Sequence, residues 1–202
     1  MTKTVFEPSI KSRPVYGVLT PRPGAAHLIV ADGEGAEAVA ALVAQAPDML
    51  ARTHIIYMPG PMGCDLGAMV EALGADICHR APSYGAAQSR IAKVLGDAHM
   101  GLQVYATGSE GLMGQVIRDA MAAGLPLDAV QTEHRGTLAR RVQCVHCKGI
   151  TETVTTDPFT CSHCGLNLFV RDHYSRRIAA FQGVNIDAED PGEVPPAVER
   201  FK

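Results

Sequence analysis

Apolar positions along the chain fall into short continuous runs, and stretches of helical spacing separate them. Residues 27–31 (His-Leu-Ile-Val-Ala) form one such run, fit for a strand buried on both faces. Asp32-Gly33-Glu34-Gly35 makes a turn, and residues 36–46 then carry Val39, Leu42 and Val43 at helical spacing. Residues 54–57 give the next strand, closed by Met58-Pro59-Gly60-Pro61-Met62-Gly63. A helix over 66–73, a strand over 75–79 and a helix over 88–95 follow. Residues 102–106 form another strand, ending in Thr107-Gly108-Ser109-Glu110-Gly111. The helix over 112–123 is broken by Gly124 and Pro126, and residues 129–132 make a last short strand. Strands alternating with helices at this rhythm predict an α/β fold with a parallel sheet covered on both faces.

Parallel sheets take ligands at the carboxyl ends of their strands, where a glycine-bearing turn enters a helix N-terminus. Two turns qualify, at 32–35 and 107–111, and either offers amide N–H groups to a phosphate or carboxylate. Doubly wound folds also use glycine at such turns for geometry alone. Asp32, Glu34 and Glu110 repel a phosphate unless a cation intervenes, and Arg80, Arg90 and Arg118 are the cations available.

The ends of the chain lack this rhythm. Residues 1–24 hold Pro8, Pro14, Pro21 and Pro23, with a short strand possible over 15–19. They read either as an arm lying on the rest of the molecule or as a disordered tail. Arg140 and Arg141 read as a solvated linker leading into two Cys-x-x-Cys pairs, Cys144-Val-His-Cys147 and Cys161-Ser-His-Cys164, with thirteen residues between them. Each pair turns two thiolates toward one point, and two facing pairs make the tetrahedral sulfur cage that Zn²⁺ prefers. The segment 150–160, rich in Thr and Val and carrying Asp157-Pro158, reads as a short hairpin between the knuckles of a zinc ribbon. A single iron or a small iron–sulfur cluster is an alternative occupant. Disulfides compete less well, with no secretory leader and two further lone cysteines, Cys64 and Cys78. His146 and His163 read as spacers, since four sulfurs fill the shell. Residues 168–170 extend a ribbon strand. The polar run Arg171-Asp-His-Tyr-Ser-Arg-Arg177 has the composition of a protein contact site or of an ordinary solvated face. Residues 187–196 are acidic and proline-bearing, and the chain from 194 onwards reads as a loose tail.

Composition narrows the function classes. An apolar fraction of 47% permits a sizeable core, whereas a formal net charge of −3 and a complete lack of Trp disfavour a nucleic-acid surface. No apolar run is long enough to span a membrane, and the N-terminus lacks a signal-peptide pattern, so a cytoplasmic location is expected. No nucleophile elbow, second metal-ligand set or paired carboxylates emerge, and no residue is assigned a catalytic role.

Two resemblances add to this reading. Tyr105, Gly108, Met113, Gly124, Pro126 and Glu133 match a ferredoxin-reductase nicotinamide domain, whose strand ends in Tyr-x-Cys-Gly-Pro. Thr107 and Ser109 replace the cysteine and proline, and Asp32-Gly-Glu-Gly-Ala-Glu37 replaces that family's Gly-Ile-Gly-x-Thr-Pro. The resemblance implies cofactor contacts at Gly108, Ser109, Glu110 and Gly111. Joined to the knuckles, Thr155-Thr-Asp-Pro158 and the run 171–177, this domain is similar to the DmmA-type subunit of bacterial dimethylamine monooxygenase, over 24–192 and most specifically over 141–192. That similarity implies an arm (1–24), a degenerate reductase-like domain (25–137), a zinc ribbon (138–192) and a tail (193–202). It also implies a multi-subunit, NADPH- and O2-dependent enzyme that converts a secondary methylamine to methylamine and formaldehyde. FMN, an iron–sulfur cluster and haem are then expected on the reductase and oxygenase partner subunits. Zn²⁺ is expected on Cys144, Cys147, Cys161 and Cys164. A zinc-ribbon adaptor unrelated to amine oxidation is the competing class.

Overall fold

Buried on both faces, as its apolar run predicts, β1 (Ala26–Asp32) sends Leu28 and Val30 to one side and Ile29 and Ala31 to the other. A computed structural model describes residues 12–202. In it β1 is the centre of a parallel sheet with β2 (Thr53–Met58), β3 (Ile77–Arg80), β4 (Leu102–Gly108) and β5 (Val130–His134), in the order β3-β2-β1-β4-β5. Helices α1 (Gly35–Gln45) and α2 (Gly67–Glu71) cover one face, and α3 (Tyr84–Gly96) and α4 (Glu110–Ala122) cover the other. Each wholly buried Leu, Ile or Val of these layers stabilises the fold by about 1.5–3 kcal/mol. Helix α3 begins four residues earlier than its apolar spacing predicts, because the Ser83 hydroxyl caps it by accepting from the Ala86 N–H.

The arm lies along the outer edge of β5. Gly17 N–H donates to the Thr132 carbonyl, Leu19 N–H to the Glu133 carboxylate, and Gln131 exchanges bonds with Thr20, while Leu19 is fully buried. A regular strand over 15–19 does not form. Pro14 and Pro21, flanking it, have no N–H to offer a ladder. The arm's expected first residues, 1–11, lie outside the described part.

Past β5 a second sheet contains β6 (Arg140–Cys144), β7 (Ile150–Val154), β9 (Phe159–Thr160), β10 (Asn167–Ser175) and β11 (Ala180–Asn185), in the order β7-β6-β11-β10-β9; β8 (Thr156–Asp157) lies between β7 and β9 in sequence. The expected hairpin across 150–160 is not formed, since β7 and β9 occupy opposite edges of this sheet. Each knuckle instead turns its own hairpin, β6–β7 and β9–β10. Cys144 N–H donates to Gly149 O and Cys161 N–H to Leu166 O, which sets both turns.

Three further expectations need correction. Arg140 and Arg141 are not a solvated linker. The Arg140 guanidinium lies 4.0 Å from the Phe181 ring centroid and 4.2 Å from that of Phe201, and it pairs with Asp172 at 2.9 Å. Arg141 donates to the Ile178 and Ala179 carbonyls and to Glu152. The run 171–177 is not one solvated face: Tyr174 turns inward, edge-on to Phe181, and a Cβ at Gly114 of α4 would lie 2.1 Å from its hydroxyl oxygen. That contact ties the second sheet to α4. Nor is the tail loose: β12 (Val198–Glu199) pairs with β8, Phe201 is buried, and Leu138 N–H donates to the Lys202 carbonyl. Among the described residues no helix is long and apolar enough to cross a membrane.

Candidate functional site: a four-sulfur cluster and a closed sheet edge

The two hairpin turns bring Cys144, Cys147, Cys161 and Cys164 together, with all four Sγ atoms within 4.8 Å of one another. Cys144 and Cys164 sulfurs are 3.8 Å apart and those of Cys147 and Cys161 3.7 Å. A tetrahedron with metal–sulfur bonds of about 2.3 Å has edges of about 3.8 Å, so the spacing and donor set fit a four-coordinate metal. Cys144 and Cys161 are buried, and the Gly149 N–H points at the Cys147 sulfur at 3.4 Å. Burial works against ionising Cys161, but N–H groups of Cys164 and His163 and the neighbouring thiols outweigh it and lower its pKa. His163 is turned away, its Nε2 on the Ile150 carbonyl, and His146 is exposed. Among the described residues this is the one group of three or more such side chains arranged to hold a metal ion.

The second candidate lies at the carboxyl end of the parallel sheet, where the strand order reverses between β1 and β4. Asp32 ends β1 and Gly108 ends β4, and they face each other across that gap. The Asp32 carboxylate bridges it, accepting from Ser109 N–H at 2.6 Å and from the Ser109 hydroxyl at 2.5 Å. Burial raises the Asp32 pKa to about 6, against the opposing pull of the Ser109 bonds. Gly108 has φ +120°, and a Cβ there would sit 1.9 Å from the carboxylate. Glu110, at the start of α4, accepts from the Tyr16 hydroxyl of the arm at 2.8 Å; burial raises its pKa also. Gly111 packs beside the Arg141 side chain. The four residues expected at a cofactor are thus together at one helix N-terminus, with Ser109 and Glu110 engaged by the chain's own groups. Arg80 pairs with Asp65 and Arg118 with Asp119, so neither reaches this turn. The acid at the head of the first turn is visible in the sequence; its reach to Ser109, 77 residues away, has no sequence signal.

Beside this edge a cleft of about 440 Å³ runs between the two sheets, lined among others by Asp32, Met58, Tyr84, Ser109, Arg141 and Glu152. The doubly wound domain and the four-cysteine ribbon are joined through Tyr174, which packs on Gly114, and Arg141, which packs beside Gly111. The chain belongs to the dimethylamine monooxygenase subunit DmmA-like family: that family's N-terminal domain matches residues 8–130 and its C-terminal domain residues 141–184. It is 32% identical over 165 residues to the heme-dependent oxidative N-demethylase delta subunit of Ectopseudomonas mendocina (strain ymp), covering 82% of each chain. Two solved structures show more distant likeness. A ferredoxin reductase in carbazole 1,9a-dioxygenase has a TM-score of 0.40 and 19% identity, over 56% of this chain and 34% of that one. An intact type IV self-sufficient cytochrome P450 monooxygenase has a TM-score of 0.44 and 16% identity, over 81% and 21%. This chain therefore spans only a part of either.

Proposed function

We propose that the chain is the small, metal-bearing subunit of a cytoplasmic, NADPH- and O2-dependent oxidative N-demethylase that converts dimethylamine to methylamine and formaldehyde. Family membership supports the setting. The observation that carries the role of this subunit is the four-sulfur cluster. Four thiolates from Cys144, Cys147, Cys161 and Cys164 leave no open position for water or substrate, so a bound Zn²⁺ supplies folding energy and not chemistry. FMN, the iron–sulfur cluster and haem reside on the partner subunits, and this chain contributes no catalytic residue.

Its part is docking. Asp172 and Tyr174 anchor the β10–β11 hairpin, whereas Arg171, Arg176 and Arg177 are exposed and have no ion-pair partner among the described residues. A rigid hairpin carrying unpaired arginines suits an acidic surface on a partner subunit. The test is co-expression with the partner chains, followed by capture of this one. Wild type is expected to recover them with one zinc per chain. Arg176→Glu with Arg177→Glu is expected to keep the zinc and lose the partners. Full recovery of partners by that variant removes the docking role.

A second reading draws on the cleft beside the sheet edge: Gly108, Ser109, Glu110 and Gly111 then hold the nicotinamide cofactor for a partner's flavin. NADPH titration of the isolated chain separates the two.

A further inference from the structure

We propose that Asp32 is a built-in substitute for a ligand phosphate, and that it closes the phosphate position of this fold against nucleotides in this subunit. In a doubly wound sheet an anionic ligand sits at the strand-order reversal, on the N–H groups that open the next helix. Here that place is between β1 and β4, and the donors are the Ser109 N–H and hydroxyl at the head of α4. The Asp32 carboxylate takes both donors, one on each oxygen.

The glycines of the two turns serve this internal contact. Gly108 has no room for a Cβ because the Asp32 side chain and backbone carbonyl lie against it. Gly35 has none because the Thr107 carbonyl would lie 2.4 Å away. Both close approaches are between parts of this chain, so neither glycine is left to make space for a cofactor. Burial of Asp32, which is 7% exposed, means that a phosphate arriving there would meet a fixed negative charge with little water to screen it. The His134 ring, the basic group that acts on Asp32, is turned to the Thr137 carbonyl, and the nearby arginines are engaged by other carboxylates. Arg135 is held by Glu133, Arg140 by Asp172 and Arg141 by Glu152. Glu110 adds a second carboxyl at the same helix end, under Tyr16. The residues present thus do not fit a pyrophosphate. Exclusion of the cofactor keeps hydride entry on another chain, whatever partners this one has.

The experiment uses the isolated full chain, with inorganic pyrophosphate and NADPH as probes in titration calorimetry. Wild type is expected to bind neither at millimolar concentration. Asp32→Asn keeps the shape and removes the charge; it is expected to bind pyrophosphate at least roughly tenfold more tightly than wild type. Asp32→Gly, which empties the position, is expected to bind it at least as well. Unchanged zinc content and circular dichroism establish that each variant is folded. NADPH binding by wild type, or variants that are folded and bind pyrophosphate no better than wild type, overturns the proposal. Neither result bears on subunit capture, so failure here is distinct from failure of the docking role.

Discussion

Two places in this molecule gather converging polar groups, and they end differently. In the ribbon, two hairpin turns aim four thiols at a common point with no other side chain between them. At the sheet edge, a helix N-terminus aims an amide and a hydroxyl at a common point, and the chain's own carboxylate fills it. Convergence of donors identifies a place where a ligand can be held. Whether the place is open depends on a group that arrives from elsewhere in the chain. The cysteine cluster is arranged to hold a metal ion, whereas the donors at the sheet edge are taken by the chain's own carboxylate.

The largest expected effect tests the open side. Cys161→Ser removes one of four thiolates, and the binding free energy of such a structural zinc is of order 10–16 kcal/mol, all of it coupled to folding. Elemental analysis should find the zinc lost, and limited proteolysis should cut between β6 and β11 while the parallel sheet stays resistant. A ribbon equally protected without metal would make the two places alike. Next comes the closed side. Gly108→Ala puts a methyl into the Asp32 carboxylate at a φ that favours glycine, and should cost about 3 kcal/mol or more. Urea unfolding of the α/β half should show it, with zinc content unchanged.

The ease of reading these places from sequence differed for a physical reason. The cysteines declare themselves because a knuckle is local: four residues set each pair of sulfurs. The alternation of β1 to β5 with the helices is equally local, and it predicts the sheet. Pairings over long separations are not encoded that way. Asp32 meets Ser109 across 77 residues, Arg140 meets Asp172 across 32, and the arm reaches Glu133 across 114. The expected hairpin over 150–160 failed for the same cause. Its Thr- and Val-rich composition specifies strand but not partner, and β7 and β9 each found a neighbour on the other side of a knuckle. Arg140 and Arg141 misled because charge suggests solvent, whereas two aromatic rings, two carboxylates and two carbonyls receive these guanidiniums.

A titration sharpens the comparison further. Asp32 has its pKa raised from 3.8 to about 6 by burial, so the folded state holds that proton more tightly than the unfolded chain does. Its contribution to stability is therefore full below about pH 4, is lost as pH rises through about 6, and is level above that. The gap corresponds to roughly 2–3 kcal/mol. Asp32→Asn should lack this slope, so the stability of the variant minus that of wild type should rise between pH 4 and 6.5. Taking the difference removes the acid sensitivity of the cysteine cluster, which both proteins share. A flat difference would mean that the carboxylate is not held in the environment its two Ser109 bonds and its burial create.

The smallest effect concerns the outer layer of the same closure. Tyr16 donates to Glu110 at 2.8 Å, with its ring 5.8 Å from that of His134, and so fastens the arm over the start of α4. Tyr16→Phe keeps the ring and deletes the bond. Glu110 is half-buried and can take water instead, so the cost should be about 1 kcal/mol. That is close to a fivefold increase in local opening, readable as faster hydrogen exchange at the Gly17 and Leu19 amides, which pair with Thr132 and Glu133. Asp32 lies inside this layer with its Ser109 bonds untouched, so the variant should still refuse pyrophosphate. If loosening the arm alone admits pyrophosphate, the outer carboxyl and the arm close the sheet edge, and Asp32 does not.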